Sequence, residues 1–219
     1  MAVITMSRQM GSGGSALGRQ LARRLGYAFV DKDLILRVAR KLHVSEESVE
    51  PFDQEEFSRG MALLEHFLTV NPTPYTVLAV GLPAMTSDIG LGAAIVTALN
   101  EKRYLQATQQ LIKALARKGK VIIMGRGGQV LLAGQKDAIH LRIVAPLDDR
   151  VRHVRGWLKL ADAGARQLIA HRDKACAQYL KHHYHRDWDD PLLYDLTINT
   201  GQIDTSAAVE TVVTLLKKR

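Results

Sequence analysis

Only one cysteine, Cys176, stands in 219 residues, which excludes an intramolecular disulfide framework and suits a reducing, cytoplasmic compartment. Aromatic residues make up 5% of the chain. They are scattered and offer no stacking platform, and no recognised motif turns the net charge of +8 into a case for nucleic-acid binding. No apolar run approaches the ~20 residues that cross a bilayer, and the sequence opens on a core strand rather than a signal peptide. What remains is a globular chain, 47% hydrophobic, with material for a sizeable core and a positive charge that favours anionic partners. Much of that charge, at Arg19, Arg23, Arg24, Lys113, Arg117 and Lys118, falls on helical patterns and reads as solvated faces.

One further absence is local. Ser7 to Gly18 reads SRQMGSGGSALG, a glycine-rich turn between an apolar strand, Ala2 to Met6, and a basic amphipathic helix. Gly11, Ser12, Gly13 and Gly14 can turn without Cβ clashes and present successive backbone N–H groups at the positive end of the helix that begins near Ser15. That is a phosphate cradle. The P-loop pattern G-x-x-x-x-G-K-[ST] adds a lysine for the outer phosphates, but here Gly14 is followed by Ser15 and Ala16.

Farther along, Ala16 to Leu25 carries Leu17, Leu21, Ala22 and Leu25 on one face and is stopped by Gly26. Tyr27 to Val30 predicts a second strand ending at Asp31, and Lys32 to Lys41 a further helix. Pro51 to Glu101, broken by Pro72, Pro74 and Pro83, reads as a helical insertion. A helix is expected from Tyr104 to Lys118, then strands over Lys120 to Met124, Ala138 to Val144 and Tyr194 to Ile198. A basic helix is expected from Asp148 to Leu160, and Thr205 to Leu216 closes the chain as a helix. Alternating strands and helices predict a three-layer α/β/α sandwich with a mainly parallel sheet. Arg126 lies between glycines at the end of the third strand, where packing explains a cation poorly.

Four segments in order, SRQMGSGG, LGYAFVDKDLI, VIIMGRGG and HRDKACAQYLKHHYHRDWDDPLLYDLTINT, make the chain resemble the cytidylate kinase-like branch of the P-loop nucleoside monophosphate kinases. The resemblance covers nearly the whole chain. It implies a five-stranded sheet of order 2-3-1-4-5 in a single domain, with core at residues 1–48 and 104–219, an insertion over 49–103 that binds the monophosphate, and an arginine-rich lid around 150–190. It further implies transfer of the γ-phosphoryl of ATP, with Mg²⁺, to CMP or a similar acceptor. Gly11, Ser12, Gly13, Gly14, Ser15 and Ala16 would hold the donor phosphates, with the Ser15 hydroxyl also reaching Mg²⁺. Arg37 and Arg126 match acceptor-phosphate arginines, whose planar fork suits such a ligand. Arg172 and Asp173 match the lid motif, with Asp173 near the acceptor. Asp31 either orients a ligand or Mg²⁺ through water or caps the following helix.

The bland alternatives are specific. Periodicity alone makes Arg37 an exposed helix charge, and Arg150, Arg152 and Arg155 a solvated face of which at most one or two reach ligand. His182, His183 and His185 lack a standard zinc spacing and any cysteine partner, so a packed tail segment is expected there. Three departures weaken catalysis: no base at Gly14 or Ser15, Gly127 where the family has aspartate, and Ala175 or Cys176 where the lid arginine falls. The alternative function is therefore a nucleotide-binding or regulatory module of low activity. The apolar stretches between Gly81 and Ala94 could pack against a partner subunit in a homodimer or close the insertion onto the core.

Overall fold

The computed structural model describes residues 2–31 and 91–218, with backbone alone over 91–104. Two compact units divide the chain, Met1–Lys32 with Ile112–Arg219, and Asp33–Leu111. The first unit contains the sheet and is the one described below. Arg37 and residues 49–90 of the expected insertion lie outside the described residues.

In chain order the elements are β1 (Val3–Arg8), α1 (Gly14–Leu25), β2 (Ala28–Val30), α2 (Leu91–Lys118), β3 (Val121–Met124), α3 (Gly128–Leu131), β4 (Ala138–Val144), α4 (Leu147–Leu158), α5 (Asp162–Tyr184), a 3-10 turn (Pro191–Leu193), β5 (Leu196–Asn199) and α6 (Thr205–Lys217). The strands form one sheet in the order β2-β3-β1-β4-β5. Every adjacent pair is parallel, so the carboxyl ends share one edge. The registers Met6 to Met124, Arg8 to Ile143 and Val30 to Ile123 bring those ends level.

Side chains alternate across the sheet. Ile4, Met6, Ile122, Met124, Ile139, Leu141 and Ile143 face α1 and α6, where they meet Leu17, Leu21, Val209 and Val212 in one buried cluster. Full burial of each Leu or Ile here contributes about 1.5–3 kcal/mol. Helix α1 approaches closely because Gly18 has no side chain: a Cβ there would stand 2.6 Å from Phe29 Cε2. Gly26, at φ 66°, ends the helix and receives the chain turning into β2.

A smaller cluster, Val151, Val154, Ala165 and Ile169, joins α4 to α5, and Met10 of the glycine loop packs against it. This is the region in which a lid was expected. Its helices meet the glycine loop through Met10.

Candidate phosphate site

The β1–α1 turn is built on backbone hydrogen bonding. Gly11 and Gly13 take φ of 82° and 73°, a left-handed region that a Cβ makes costly. Gly11 also faces the Arg150 carbonyl, which a Cβ would approach to 2.7 Å. Within the turn, Ser12 donates both its N–H and its hydroxyl to the Gln9 carbonyl, at 3.3 and 2.8 Å. Ala16 and Leu17 donate their N–H groups to Gly13, at 2.9 and 3.1 Å. The Thr200 hydroxyl donates to the Ser12 carbonyl at 2.7 Å. Four N–H groups remain, those of Gly11, Gly13, Gly14 and Ser15, without an acceptor among the described residues. No acidic residue occupies the first turn of α1. Unsatisfied donors and the positive helix end therefore coincide.

Two charged side chains hold this loop from behind. Asp173 accepts the Met10 N–H at 2.8 Å and pairs with Arg150 at 2.5 Å. The pair is shielded, with 10% of the Arg150 side chain and 19% of the Asp173 side chain exposed. Asp173 thus acts structurally on the loop from helix α5. The adjacent Arg172 is exposed, and Ala175 and Cys176, where a lid arginine was sought, are exposed as well. Arg152, Arg155 and Arg166 are engaged in surface pairs with Asp149, Asp162 and Asp148. Arg166 holds the Asp162 carboxyl below its usual range by hydrogen bonding.

The second glycine turn follows β3. Gly125, Arg126 and Gly127 are all left-handed, at φ 84°, 56° and 72°; for Arg126 this is a strained choice. Helix α5 clamps it. Tyr184 donates its hydroxyl to the Arg126 carbonyl at 3.2 Å, and its ring fills the space beside Gly127, where a Cβ would lie 2.4 Å from Tyr184 Cε2. The Arg126 guanidinium sits 5.0 Å from the Tyr179 ring centre, and its Nε is buried without a hydrogen-bond partner. Tyr184 thus walls the turn at Gly127.

The structure brings Gly11 to Ala16, Asp31 and Arg126 to the carboxyl edge of the sheet, where open parallel sheets bind ligands. Ser15 donates its hydroxyl to Met124 Sδ at 3.7 Å, a weak tie. Asp31 directly follows β2 and is half-buried. The histidines His182 and His183 stack edge to face, 4.7 Å between ring centres. Among the described residues, no group of three His, Cys, Asp or Glu could hold a metal ion.

Two supporting residues, Arg142 and Thr200, escaped the reading of the sequence. Arg142, buried in β4, donates to the Trp188 carbonyl, the Tyr194 hydroxyl and Asp189, and lies 4.4 Å from the Trp188 ring centre. Trp188 in turn donates its indole N–H to Ser7 Oγ at 2.7 Å. A lone arginine within the apolar strand AIHLRIV was the available signal. Thr200 gave none, because its partners Ser12 and Val144 are remote in sequence.

A profile of the cytidylate kinase-like family matches residues 3–202. The chain belongs to this family. The uncharacterized Eubacterium ventriosum protein of known structure shares 19% identity, covers 100% of this chain and 99% of its own, and superposes with a TM-score of 0.67. A shikimate kinase from Bacteroides thetaiotaomicron, at 14% identity and coverage of 99% and 98%, has a TM-score of 0.50; these likenesses establish the P-loop kinase fold. Among curated proteins, a cytidylate kinase of Rhodococcus opacus is 28% identical over 148 residues, 64% of this chain. A uronate isomerase of Corynebacterium glutamicum is 30% identical over 128 residues, 58% of this chain. The chain spans 62% of the first relative's length and 24% of the second's. Among the described residues no helix is long and apolar enough to cross a membrane.

Proposed function

We propose that the chain is an ATP-dependent phosphotransferase that moves the γ-phosphoryl of ATP to CMP or another nucleoside monophosphate. The observation that carries this reading is the set of four acceptor-less N–H groups at Gly11, Gly13, Gly14 and Ser15, gathered at a helix start with no competing acid. Such a cradle holds a phosphate by geometry and dipole together. Arg126, on the neighbouring turn, supplies a guanidinium suited to the acceptor phosphate, and Arg37 would add a second.

The residues fit Mg²⁺ in the way that phosphotransferases need. Among the described residues the Ser15 hydroxyl is held by a thioether alone, and the remaining ligands of such an ion are phosphate oxygens and water. Bound there, the ion would offset charge on the moving phosphoryl group. The protein's own share is positioning: N–H donors fix one phosphate, arginines the other, and water is kept out by α4 and α5.

A second reading, a nucleotide-binding module of low activity, is favoured by the use of Asp173 in holding Met10 and of the Gly127 space by Tyr184. ADP formation with Mg²⁺ and ATP across CMP, dCMP, UMP and AMP tests the first reading. Turnover no higher than that of a Gly13→Asp control, whose carboxylate would enter the cradle, refutes it. Calorimetric binding of ATP without turnover selects the second reading, and binding of none of ATP, ADP or CMP removes both.

A further inference from the structure

Laying G-x-x-x-x-G-K-[ST] over the loop puts the pattern's first glycine at Arg8, its second at Gly13, its lysine at Gly14 and its hydroxyl residue at Ser15. A cation stands where the pattern has glycine, and a glycine where it has the cation. The geometry links the two exchanges. A Cβ on Gly14 would stand 2.9 Å from Arg8 Cβ, 3.0 Å from Arg8 Cδ and 3.3 Å from Ile143 Cβ. The stem of Arg8 therefore lies across the backbone of Gly14, in the room where a lysine side chain would begin. Its Nε donates to Met124 Sδ at 3.1 Å, the same sulfur that receives the Ser15 hydroxyl. The guanidinium is thus delivered to the first turn of α1, beside Ser15, from strand β1 instead of from the helix.

We propose that Arg8 is the phosphate-binding cation of this site and replaces the P-loop lysine, which its own stem excludes. A phosphate oxygen forms a charge-assisted bond with a guanidinium about twice as strong as a neutral one. The outer phosphates of a nucleotide seated on the N–H groups of Gly13, Gly14 and Ser15 lie beside the Arg8 guanidinium, which already stands at the first turn of α1. The guanidinium fork can also hold two phosphate oxygens in one planar, bidentate arrangement, a fixed geometry that a rotating ammonium lacks. The choice of MgATP as ligand rests on the phosphotransferase reading.

Calorimetric titration with MgATP, alongside circular dichroism to confirm folding, tests the assignment in five proteins. Arg8→Met should bind about tenfold or more weakly, the loss of a bond to a charged group. Arg8→Lys, with a stem like that of Met but a charge at its end, should keep most of the affinity. Gly14→Lys alone should bind poorly because its stem meets that of Arg8. The double variant Arg8→Gly, Gly14→Lys restores the pattern and should recover affinity well above either Gly14→Lys or Arg8→Met. A purely structural role for Arg8 would not be rescued by a lysine on another element. Equal affinity of Arg8→Met and wild type, or a double variant no better than Gly14→Lys, overturns the assignment while the phosphotransferase reading stands. Absence of MgATP binding by the wild type overturns the underlying reading and Arg8's role with it.

Discussion

Replacing Asp173 by alanine should cost more than its half-exposed position on a polar helix suggests. The change removes the partner of a guanidinium that is 10% exposed and the acceptor of the Met10 N–H. Arg150 is left with one long contact, from Nη1 to the Met10 carbonyl at 3.5 Å, and its Nε is already buried without a partner. Breaking a buried pair from one side costs about 3–5 kcal/mol. Because Asp173 retains 19% exposure, water enters on its loss, and the lower end, about 3 kcal/mol, is expected. For a chain of this length that lowers Tm by about 6–12 °C. Arg150→Met is milder, about 1–2 kcal/mol, since Asp173 keeps the Met10 N–H. The double variant should be more stable than the sum of the singles predicts, because it contains no orphaned charge. Urea unfolding followed by circular dichroism measures all four proteins. Additivity in this cycle, or a loss below about 0.5 kcal/mol for Asp173→Ala, refutes the anchoring role. Kinetics separate it from an acceptor contact: loosening the loop weakens MgATP binding, whereas a selective rise in KM for the monophosphate would put Asp173 at the acceptor.

Other perturbations follow from the same geometry. Gly127→Ala drives a Cβ to 2.4 Å from Tyr184 at φ 72° and should cost about 2 kcal/mol in urea unfolding by overpacking, part of it recovered in combination with Tyr184→Ala. Arg142→Met should cost about 2 kcal/mol, moderated because its partner Asp189 is 71% exposed. Limited proteolysis should then cut faster between Arg186 and Leu193. Ion pairing with Arg166 lowers the Asp162 carboxyl from its ordinary value of 3.8, so its contribution is present above that pH and lost as pH falls through the lower folded value. Urea midpoints of wild type and Asp162→Asn at low salt should differ at pH 5 and converge toward pH 3; a gap that widens on acidification contradicts this sign.

The sheet was legible because buried parallel strands are short apolar runs, and β3 runs directly into Gly125, where φ turns positive. Ala138–Val144 is the strand that its sequence predicts, and α6 begins at Thr205 as expected, with Asp204 capping the Ala207 N–H. Helix α2 starts at Leu91, well before the expected Tyr104, since the Ala-rich run after Gly92 favours helix more than the nearby glycines oppose it. The strand expected over Tyr194 to Ile198 is shifted to Leu196–Asn199. Tyr194 instead turns its hydroxyl to the Trp188 carbonyl. The supporting charges were less legible. Arg152 and Arg155 lie on the solvated face that periodicity describes, whereas Arg150, on the same helix, is buried by a partner that no local pattern announces.

Helix α5 touches both glycine turns, one through Asp173 and the other through Tyr184. At 1.5 Å per residue these contacts stand about 16 Å apart along its axis, so a single rigid rod gauges the distance between the two turns. One residue inserted between them would swing Tyr184 by about 100° around that axis and pull it away from Gly127. The stretch from Asp173 to Tyr184 can therefore exchange many of its exposed side chains freely, but its length is fixed.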